Sequence, residues 1–305
     1  MNPKVSVIIP TYNRPQLILK AIKSVLNQTY QNFEIIVVDD GPNDETKKAI
    51  ENLKESKIKY IKIAENPEII SAAARKRNIG VKNSSSDSKY IAFLDDDDEW
   101  LPRFLEETVN ELEQKPDLVG VIPYPQRKLE DGTEIKTNYS PIYRFWKQGI
   151  GNCWVLRREI FGKEDIWYDE KEIFEDMDFG IRVLKNRKVG IIQKILWIYY
   201  VLPLAGGGSS CTKFERQANG VDYFFKKHYL TYEKAGKEAL GFLYYSTGKI
   251  YCQAGRFKEG RNHFKKALKI NPNFEYFIYY LASLLFPRVF QSYKLQFLKH
   301  KLLRG

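Results

Sequence analysis

Four consecutive aspartates, Asp95 to Asp98, follow directly on the apolar run Tyr90–Leu94. A run this short, aromatic and branched reads as a fully buried strand of an α/β sheet, and ligands of such sheets bind just beyond the carboxyl ends of the strands. In extended backbone alternate side chains share a face, so Asp95 and Asp97 can converge on one point while Asp96 looks elsewhere. Adjacent carboxylates repel and raise one another's pKa. A hard cation such as Mg2+ or Mn2+ relieves that repulsion and can hold a substrate's phosphates at the same time. The same residues also read as a solvated acidic turn ahead of a helix that starts at Leu101-Pro102.

The elements that must position these acids alternate along the chain. Val5–Ile9 reads as a buried strand, followed by the loop Pro10-Thr-Tyr-Asn-Arg-Pro15 and a helix with apolar Leu17, Ile18, Ala21, Ile22, Val25 and Leu26. Phe33–Val38 is the next strand and runs into Asp39-Asp40-Gly41, a turn and a helix to about Lys54. Lys57–Ile63 predicts a strand, Ile70–Lys82 a helix, and the strand at 90–94 follows. Beyond it come a helix to about Gln114, a strand at Leu118–Pro123, a polar loop or hairpin over Arg127–Tyr143, and one or two strands within Val189–Tyr200. Strands and helices in alternation with short links predict a mostly parallel doubly wound sheet. Each candidate loop follows a strand.

The chain has 305 residues, enough for one large domain or two smaller ones. Its net charge of +11 is uneven: residues 213–305 hold 18 Lys/Arg against 6 Asp/Glu, leaving the remainder close to neutral. An appended basic segment that meets something anionic is the expectation, against a merely lysine-rich surface. Nucleic acid would rest on charge alone, and no motif supports it. Cys153, Cys211 and Cys252 are odd in number and widely spaced, which argues against a disulfide scaffold or zinc ribbon and fits a reducing compartment. The first apolar run is too short for a signal peptide or a membrane span, so a cytoplasmic location is expected.

Several ordered motifs carry a resemblance: Ser6-Val-Ile-Ile-Pro-Thr-Tyr-Asn-Arg14, Val37-Val-Asp-Asp-Gly41 with Asp44 and Thr46, Ala74-Arg-Lys-Arg-Asn-Ile-Gly80, and Phe93-Leu-Asp-Asp-Asp-Asp-Glu-Trp100. Together they resemble family 2 of the inverting glycosyltransferases, which have the GT-A fold, over roughly residues 4–200. The resemblance implies a nucleotide diphosphate sugar site. It sets Pro10, Tyr12, Asn13 and Arg14 beside the base and ribose, with Asp40 accepting a hydrogen bond from the base. A carboxylate there favours uracil, whose imide N–H cytosine lacks; Asp39 and Asp40 as turn caps are the plainer reading. It sets Arg77, Asn78 and, more weakly, Arg75 near the pyrophosphate. Asp95 and Asp97 become ligands of Mn2+ or Mg2+, and Asp96 faces the ribose or sugar, with the register within Asp95–Asp98 open by one residue. Glu175-Asp176, followed by Asp178, Phe179 and Arg182, matches a second motif. Inversion needs a carboxylate to take the acceptor hydroxyl's proton, which the resemblance assigns to Asp176, with Glu175 orienting it or meeting the acceptor. Two acids stabilising the first turn of a helix is the alternative. Asn152 and Trp154 fall on a strand leading to the acceptor side, where a core tryptophan is the commoner case. The glycine-serine stretch Leu204–Thr212 reads as a lid. The resemblance implies a histidine or arginine near here on the metal or diphosphate; the chain has no histidine between 190 and 227, which leaves Lys213 or Arg216 as the substitute.

From Gly241 the pattern becomes helical, and Tyr244, Gly248, Tyr251, Gly255, Gly260, Phe264, Ala267 and Pro272 resemble a tetratricopeptide signature. One repeat cannot bury both its faces, so segments near 214–238 and 275–287 are expected to cap it. The basic tail with Lys294, Lys299, Lys301 and Arg304 among Leu295, Phe297, Leu298, Leu302 and Leu303 could lie on an anionic membrane surface, bind a protein partner or self-associate, or stay solvated. The expected division is a GT-A domain at 1–212 and a basic helical region at 213–305. The expected activity is transfer of a sugar from a UDP-sugar to a hydroxyl of a glycan or lipid-linked acceptor, non-processively, at the inner face of a membrane. A GT-A scaffold without catalysis, acting through its C-terminal helices, is the alternative. A sugar-nucleotide pyrophosphorylase is disfavoured, because Pro-Thr-Tyr-Asn replaces the glycine-rich phosphate loop.

Overall fold

A computed structural model describes residues 3–66, 68–129, 131–135, 153–162, 166–201 and 210–287, with the backbone alone given for 210–213. The expected hairpin at Asp131-Gly132 is present, with Arg127 pairing with Ile135 and Lys128 with Glu134 in antiparallel register, whereas residues 130 and 136–143, Asn152, most of the glycine-serine stretch and the basic tail lie outside the described residues. The chain divides into two compact units, 1–203 and 204–305.

In the first unit the order is β1 (Lys4–Thr11), α1 (Pro15–Leu26), β2 (Phe33–Asp39), α2 (Glu45–Glu51), β3 (Ile58–Lys62), α3 (Ala72–Lys82), β4 (Ser88–Phe93), β5 (Glu99–Trp100), α4 (Phe104–Gln114), β6 (Leu118–Leu129), β7 (Glu134–Ile135), β8 (Val155–Arg157), α5 (Glu159–Gly162), α6 (Glu175–Leu184) and β9 (Lys188–Val201). The strands join one sheet in the order β3-β2-β1-β4-β8-β6-β9-β5, with β7 on β6. The doubly wound expectation holds for β3-β2-β1-β4, all parallel. It needs amending beyond β4, where β8 runs antiparallel to both β4 and β6. That reversal makes β8 leave the sheet at the edge where β4 begins, Arg157 pairing with Tyr90, so the segment ahead of α6 must return along the sheet to bring the second acidic motif to the carboxyl end of β4.

Side chains along β1 alternate between two cores. Val5, Val7 and Ile9 pack with Ile18, Ile22 and Val25 of α1 and with Phe104 and Val109 of α4. Ile8 packs on the other face with Val38, Phe93, Ala74 of α3 and Phe179 of α6. Helices cover both faces, which is why these strands are apolar throughout rather than alternating. Trp154 is fully buried in the second of these cores. The commoner reading of that tryptophan is therefore the right one.

Helix α3 approaches β1 closely because residue 80 is glycine: a Cβ there would sit 2.4 Å from Ile8 Cγ2. Gly80→Val should therefore displace α3 and cost on the order of 1–3 kcal/mol, as overpacked cores do. The midpoint of urea unfolding reads this, and an unchanged midpoint would contradict the close packing.

The second unit is helical: α7 (Ser210–Lys234), α8 (Lys237–Gln253), α9 (Phe257–Ile270) and α10 (Phe274–Leu285). Tyr245, Cys252, Phe264, Ala267 and Tyr276 form its core. Gly248 and Gly260 let α8 and α9 touch, since a Cβ at 260 would lie 2.3 Å from the Cys252 sulfur. Gly255, at φ +79°, ends α8 in the left-handed conformation that glycine tolerates. The expected capping segments are α7 and α10. Helix α10 leaves Phe274, Phe277, Ile278, Leu284 and Leu285 exposed. Among the described residues no helix is long and apolar enough to cross a membrane.

Candidate active site

The carboxyl ends of β1, β2 and β4, the middle of α3 and the start of α6 converge on one polar region. Chain direction explains this: parallel strands deliver their following loops to the same edge of the sheet.

The acidic run leaves β4 as a turn rather than as extended strand, with the Asp98 N–H donating to the Asp95 carbonyl at 3.2 Å. Asp95, Asp97 and Asp98 each offer an oxygen within 4.8 Å of the others. The convergence of Asp95 and Asp97 was legible, but the alternation argument missed Asp98, which the turn folds back beside Asp95. Asp98 is pinned from the other side by the Tyr200 N–H at 3.1 Å. Asp96 faces away, accepting from Thr11 Oγ1 at 2.7 Å and from Arg14 Nη1 at 2.9 Å. Arg14 Nη1 also reaches Asp97, at 3.0 Å. The arginine expected beside the nucleotide thus lies against the acidic run.

Burial raises the Asp97 carboxyl to about 6, and Asp95 and Asp96 add to the shift. Burial, reinforced by Asp95 and Asp97, also holds Asp98 well above the ordinary range. Asp96 is raised by burial too, although Arg14 and Thr11 oppose this.

Helix α3 contributes three buried polar side chains in a row, Lys76, Arg77 and Asn78. Arg77 bridges the two acidic motifs, with Nη2 at 2.6 Å from Asp95 Oδ1 and Nη1 at 3.3 Å from Glu175 Oε1. Asn78 donates to the Tyr168 carbonyl and to Glu170, and its Oδ1 accepts from the Tyr168 N–H. It therefore clamps the segment that leads into α6. Arg75 donates to the Ala64 carbonyl at 2.9 Å on the surface. Lys76, to which the sequence reading gave no role, lies 2.5 Å from Asp40 Oδ1.

Around the first two loops, Pro10 pairs in register with Val38, past the last β1–β4 pair, Ile8↔Phe93, so its missing N–H interrupts one ladder only. Asn13 takes the left-handed conformation at φ +50° and accepts from Asn43. Tyr12 stands 45% exposed. Asp39 is the structural acid of its pair, accepting from the Gly41 N–H at 2.7 Å and from the Tyr60 hydroxyl at 2.6 Å.

Glu175 and Asp176 occupy the first turn of α6, where the helix dipole favours negative charge. Even so, burial first and Glu175 second raise Asp176 to about 7. A carboxylate tuned near neutrality can accept a proton at physiological pH. Tyr168 was also overlooked: its hydroxyl is buried without a hydrogen-bond partner among the described residues, and its ring lies 5.3 Å from the Arg77 guanidinium. Arg182 is held by Asp178 at 2.6 Å and by the Trp167 carbonyl. Arg216 falls in α7, as does Lys213, whose side chain lies outside the described residues.

Six carboxyl groups (Asp95, Asp96, Asp97, Asp98, Glu175 and Asp176) face two guanidinium groups here. An all-oxygen donor set with excess negative charge and upward-shifted acids fits a hard divalent cation.

Fold and site together define a GT-A transferase domain. The chain superposes on a crystal structure of S. aureus TarS 1-349 in complex with UDP-GlcNAc, with TM-score 0.58, 16% identity and coverage of 88% of this chain and 82% of that one. A mannosyltransferase from Pyrobaculum calidifontis in complex with GDP-Man and Mn2+ aligns with TM-score 0.56, 17% identity and coverage of 95% and 87%. More specifically, residues 6–163 match the model of glycosyl transferase family 2, more than half of the chain, and the protein belongs to that family. Residues 241–274 match a tetratricopeptide repeat. An uncharacterized glycosyltransferase of Rickettsia conorii is 34% identical over 202 residues, 63% of this chain and 32% of the relative, so the chain spans about a third of its length. A UDP-Glc:alpha-D-GlcNAc-diphosphoundecaprenol beta-1,3-glucosyltransferase of Escherichia coli is 40% identical over 102 residues, 33% of this chain and 38% of the relative.

Proposed function

We propose that the first unit is a metal-dependent, non-processive, inverting glycosyltransferase that moves a sugar from a UDP-sugar to a hydroxyl of a lipid-linked glycan. The observation that carries this reading is the pair of acidic centres joined by Arg77: one suited to a divalent cation, the other holding a carboxyl near neutrality. UDP and UDP-sugar appear in the names of a solved neighbour and a relative, and the same relative's acceptor is a lipid-linked diphosphate.

In this reading Asp95, Asp97 and Asp98 would hold Mn2+ or Mg2+, which supplies charge neutralisation to the departing nucleoside diphosphate. Asp176 takes the proton from the acceptor hydroxyl as that oxygen attacks the anomeric carbon opposite the phosphate. Glu175, fixed by Arg77, keeps Asp176 oriented. Tyr12, Asn13 and Asp40 receive the nucleoside, and Asp96 faces the ribose or sugar. Pro10 and Asn78 shape the pocket rather than read the ligand. The second unit, with its tetratricopeptide match and exposed α10, would engage a protein partner, a second copy of the chain or an anionic membrane surface.

The test is UDP binding by calorimetry with Mn2+ or with chelator, paired with UDP release from a panel of UDP-sugars. Wild type should bind UDP more tightly with Mn2+ than with chelator, and Asp97→Ala should abolish that difference, weakening Mn2+-supported binding by roughly 10- to 100-fold. Binding indifferent to metal in both proteins would remove the metal from the reading. Tight binding without turnover of any sugar or acceptor would favour the scaffold instead.

A further inference from the structure

We propose that Lys76 is a specificity-determining residue for the donor base, donating to the uracil O4 carbonyl while Asp40 accepts the neighbouring N3–H. This rests on the uridine-nucleotide reading of the first unit.

Lys76 is 5% exposed, as is Asp40. A lysine at that depth must be paired. Its ammonium has three N–H donors. Among the described residues it gives one to Asp40 Oδ1 at 2.5 Å and one to the Thr11 carbonyl at 3.0 Å. One donor is left for a ligand. The Tyr12 ring centroid lies 5.8 Å from Nζ, and that ring is among the most exposed large side chains of the first unit. A buried donor–acceptor pair beside an open aromatic face is a built recognition edge for a planar base, with the ring as its stacking surface.

Stability alone gives a poor account of the pair. Replacing a buried ion pair with well-packed apolar residues is often neutral or stabilising, so a clamp between α3 and the first two loops would not require two charges. The chemistry of the pair is selective. Ionised Asp40 only accepts and Lys76 only donates. Uracil with N3–H at Asp40 offers O4 to Lys76. Cytosine in the same register sets its N3 lone pair against the carboxylate and its amino group against the ammonium, so both contacts become repulsive. A site built to hydrogen-bond one edge rejects the analogue that inverts it far more strongly than an apolar pocket does.

The experiment measures binding of UDP, CDP and GDP by calorimetry, with Mn2+ present, to wild type, Lys76→Met, Lys76→Arg and the double variant Asp40→Asn/Lys76→Met. Wild type should prefer UDP over CDP by roughly 100-fold or more. Lys76→Met should lower UDP affinity by about 10- to 100-fold and CDP affinity by less than about threefold, narrowing the ratio, and Lys76→Arg should restore part of it. The double variant leaves no unpaired buried charge. It should stay folded by circular dichroism and lose the preference for UDP, but it removes Asp40 as well. If Lys76→Met unfolds, the test of Lys76 itself is therefore Lys76→Arg, which keeps the charge and should narrow the UDP-over-CDP ratio relative to wild type. Equal losses for UDP and CDP in the folded variants would reduce Lys76 to a structural clamp and overturn this inference alone. A wild type that binds no nucleoside diphosphate, or prefers GDP or CDP, would overturn the uridine reading as well.

Discussion

Asp176→Asn should lower kcat for sugar transfer by roughly 100- to 10,000-fold, the usual contribution of a positioned general base, while leaving UDP affinity within about twofold. The substitution keeps the volume and the oxygen that accepts the Met177 N–H at 2.7 Å, so the first turn of α6 should stay intact. It removes only the capacity to take a proton. Because burial and Glu175 raise the carboxyl to about 7, the ionised, competent form is populated only above that value. The wild-type pH–rate profile should therefore rise through neutrality rather than near the ordinary aspartate value of about 4. The sign for stability is the reverse. A carboxyl whose folded pKa is raised binds more protons folded than unfolded between the two values, so wild-type stability falls as pH climbs from about 4 to about 7. Asp176→Asn escapes that penalty, and its thermal midpoint should exceed wild type at pH 7.5 and converge with it at pH 4. An inactive variant with no such pH-dependent gain would mean that Asp176 is an ordinary helix-start acid. Retained turnover would take the base role from it altogether.

The difference between what the residues disclosed and what they hid follows from how each signal arises. Strand runs such as Val5–Ile9 and Tyr90–Leu94 are visible because burial on both faces leaves no polar alternation, and their alternation with helices predicts a parallel doubly wound sheet; the order β3-β2-β1-β4 comes from the structure. The antiparallel insertion of β8 was not visible: three paired residues carry no directional pattern, and direction is fixed by the path of the chain between elements. At the site, acids were found because carboxylate clusters are costly without a reason. Their partners were harder. Asp98 escaped because alternation assumes extended backbone, whereas the chain turns between Asp95 and Asp98. Lys76 escaped because a lysine on a helix is normally solvated, and only the burial of α3 against the sheet turns it inward. Its inward direction could have been noticed from helical spacing, since Lys76 lies four residues before Gly80 and so on the same face of α3, the face that meets Ile8 of β1. The nucleotide role expected for Arg77 overlooked how much negative charge lay within its reach.

Arg77→Met should destabilise the protein by about 3–5 kcal/mol, the usual result of removing one partner of a buried ionic network, and should do so through the carboxylates left behind. Arg77 is 2% exposed, and its guanidinium links Asp95, on the β4 loop, to Glu175, at the start of α6. Without it these two carboxylates, both only partly buried, repel each other. Arg77→Lys keeps the charge but not the fork that meets both carboxylates at once, so it should recover only part of the loss. Adding Glu175→Gln to Arg77→Met removes one stranded acid and should recover another part, a coupling that a double-mutant cycle reads directly. Metal dependence separates this positioning role from direct contact with the donor's pyrophosphate. In wild type Arg77 competes for Asp95 with any cation bound by the aspartates. In Arg77→Met that competitor is gone, so millimolar Mn2+ should raise the urea midpoint by more than it does in wild type, by ligand linkage alone. An arginine whose task is to grip phosphate predicts the opposite pattern: near-normal stability, no added response to Mn2+, and a loss confined to UDP affinity. Comparing the Mn2+ response of the two unfolding curves, with no donor present, decides between them before any substrate is known.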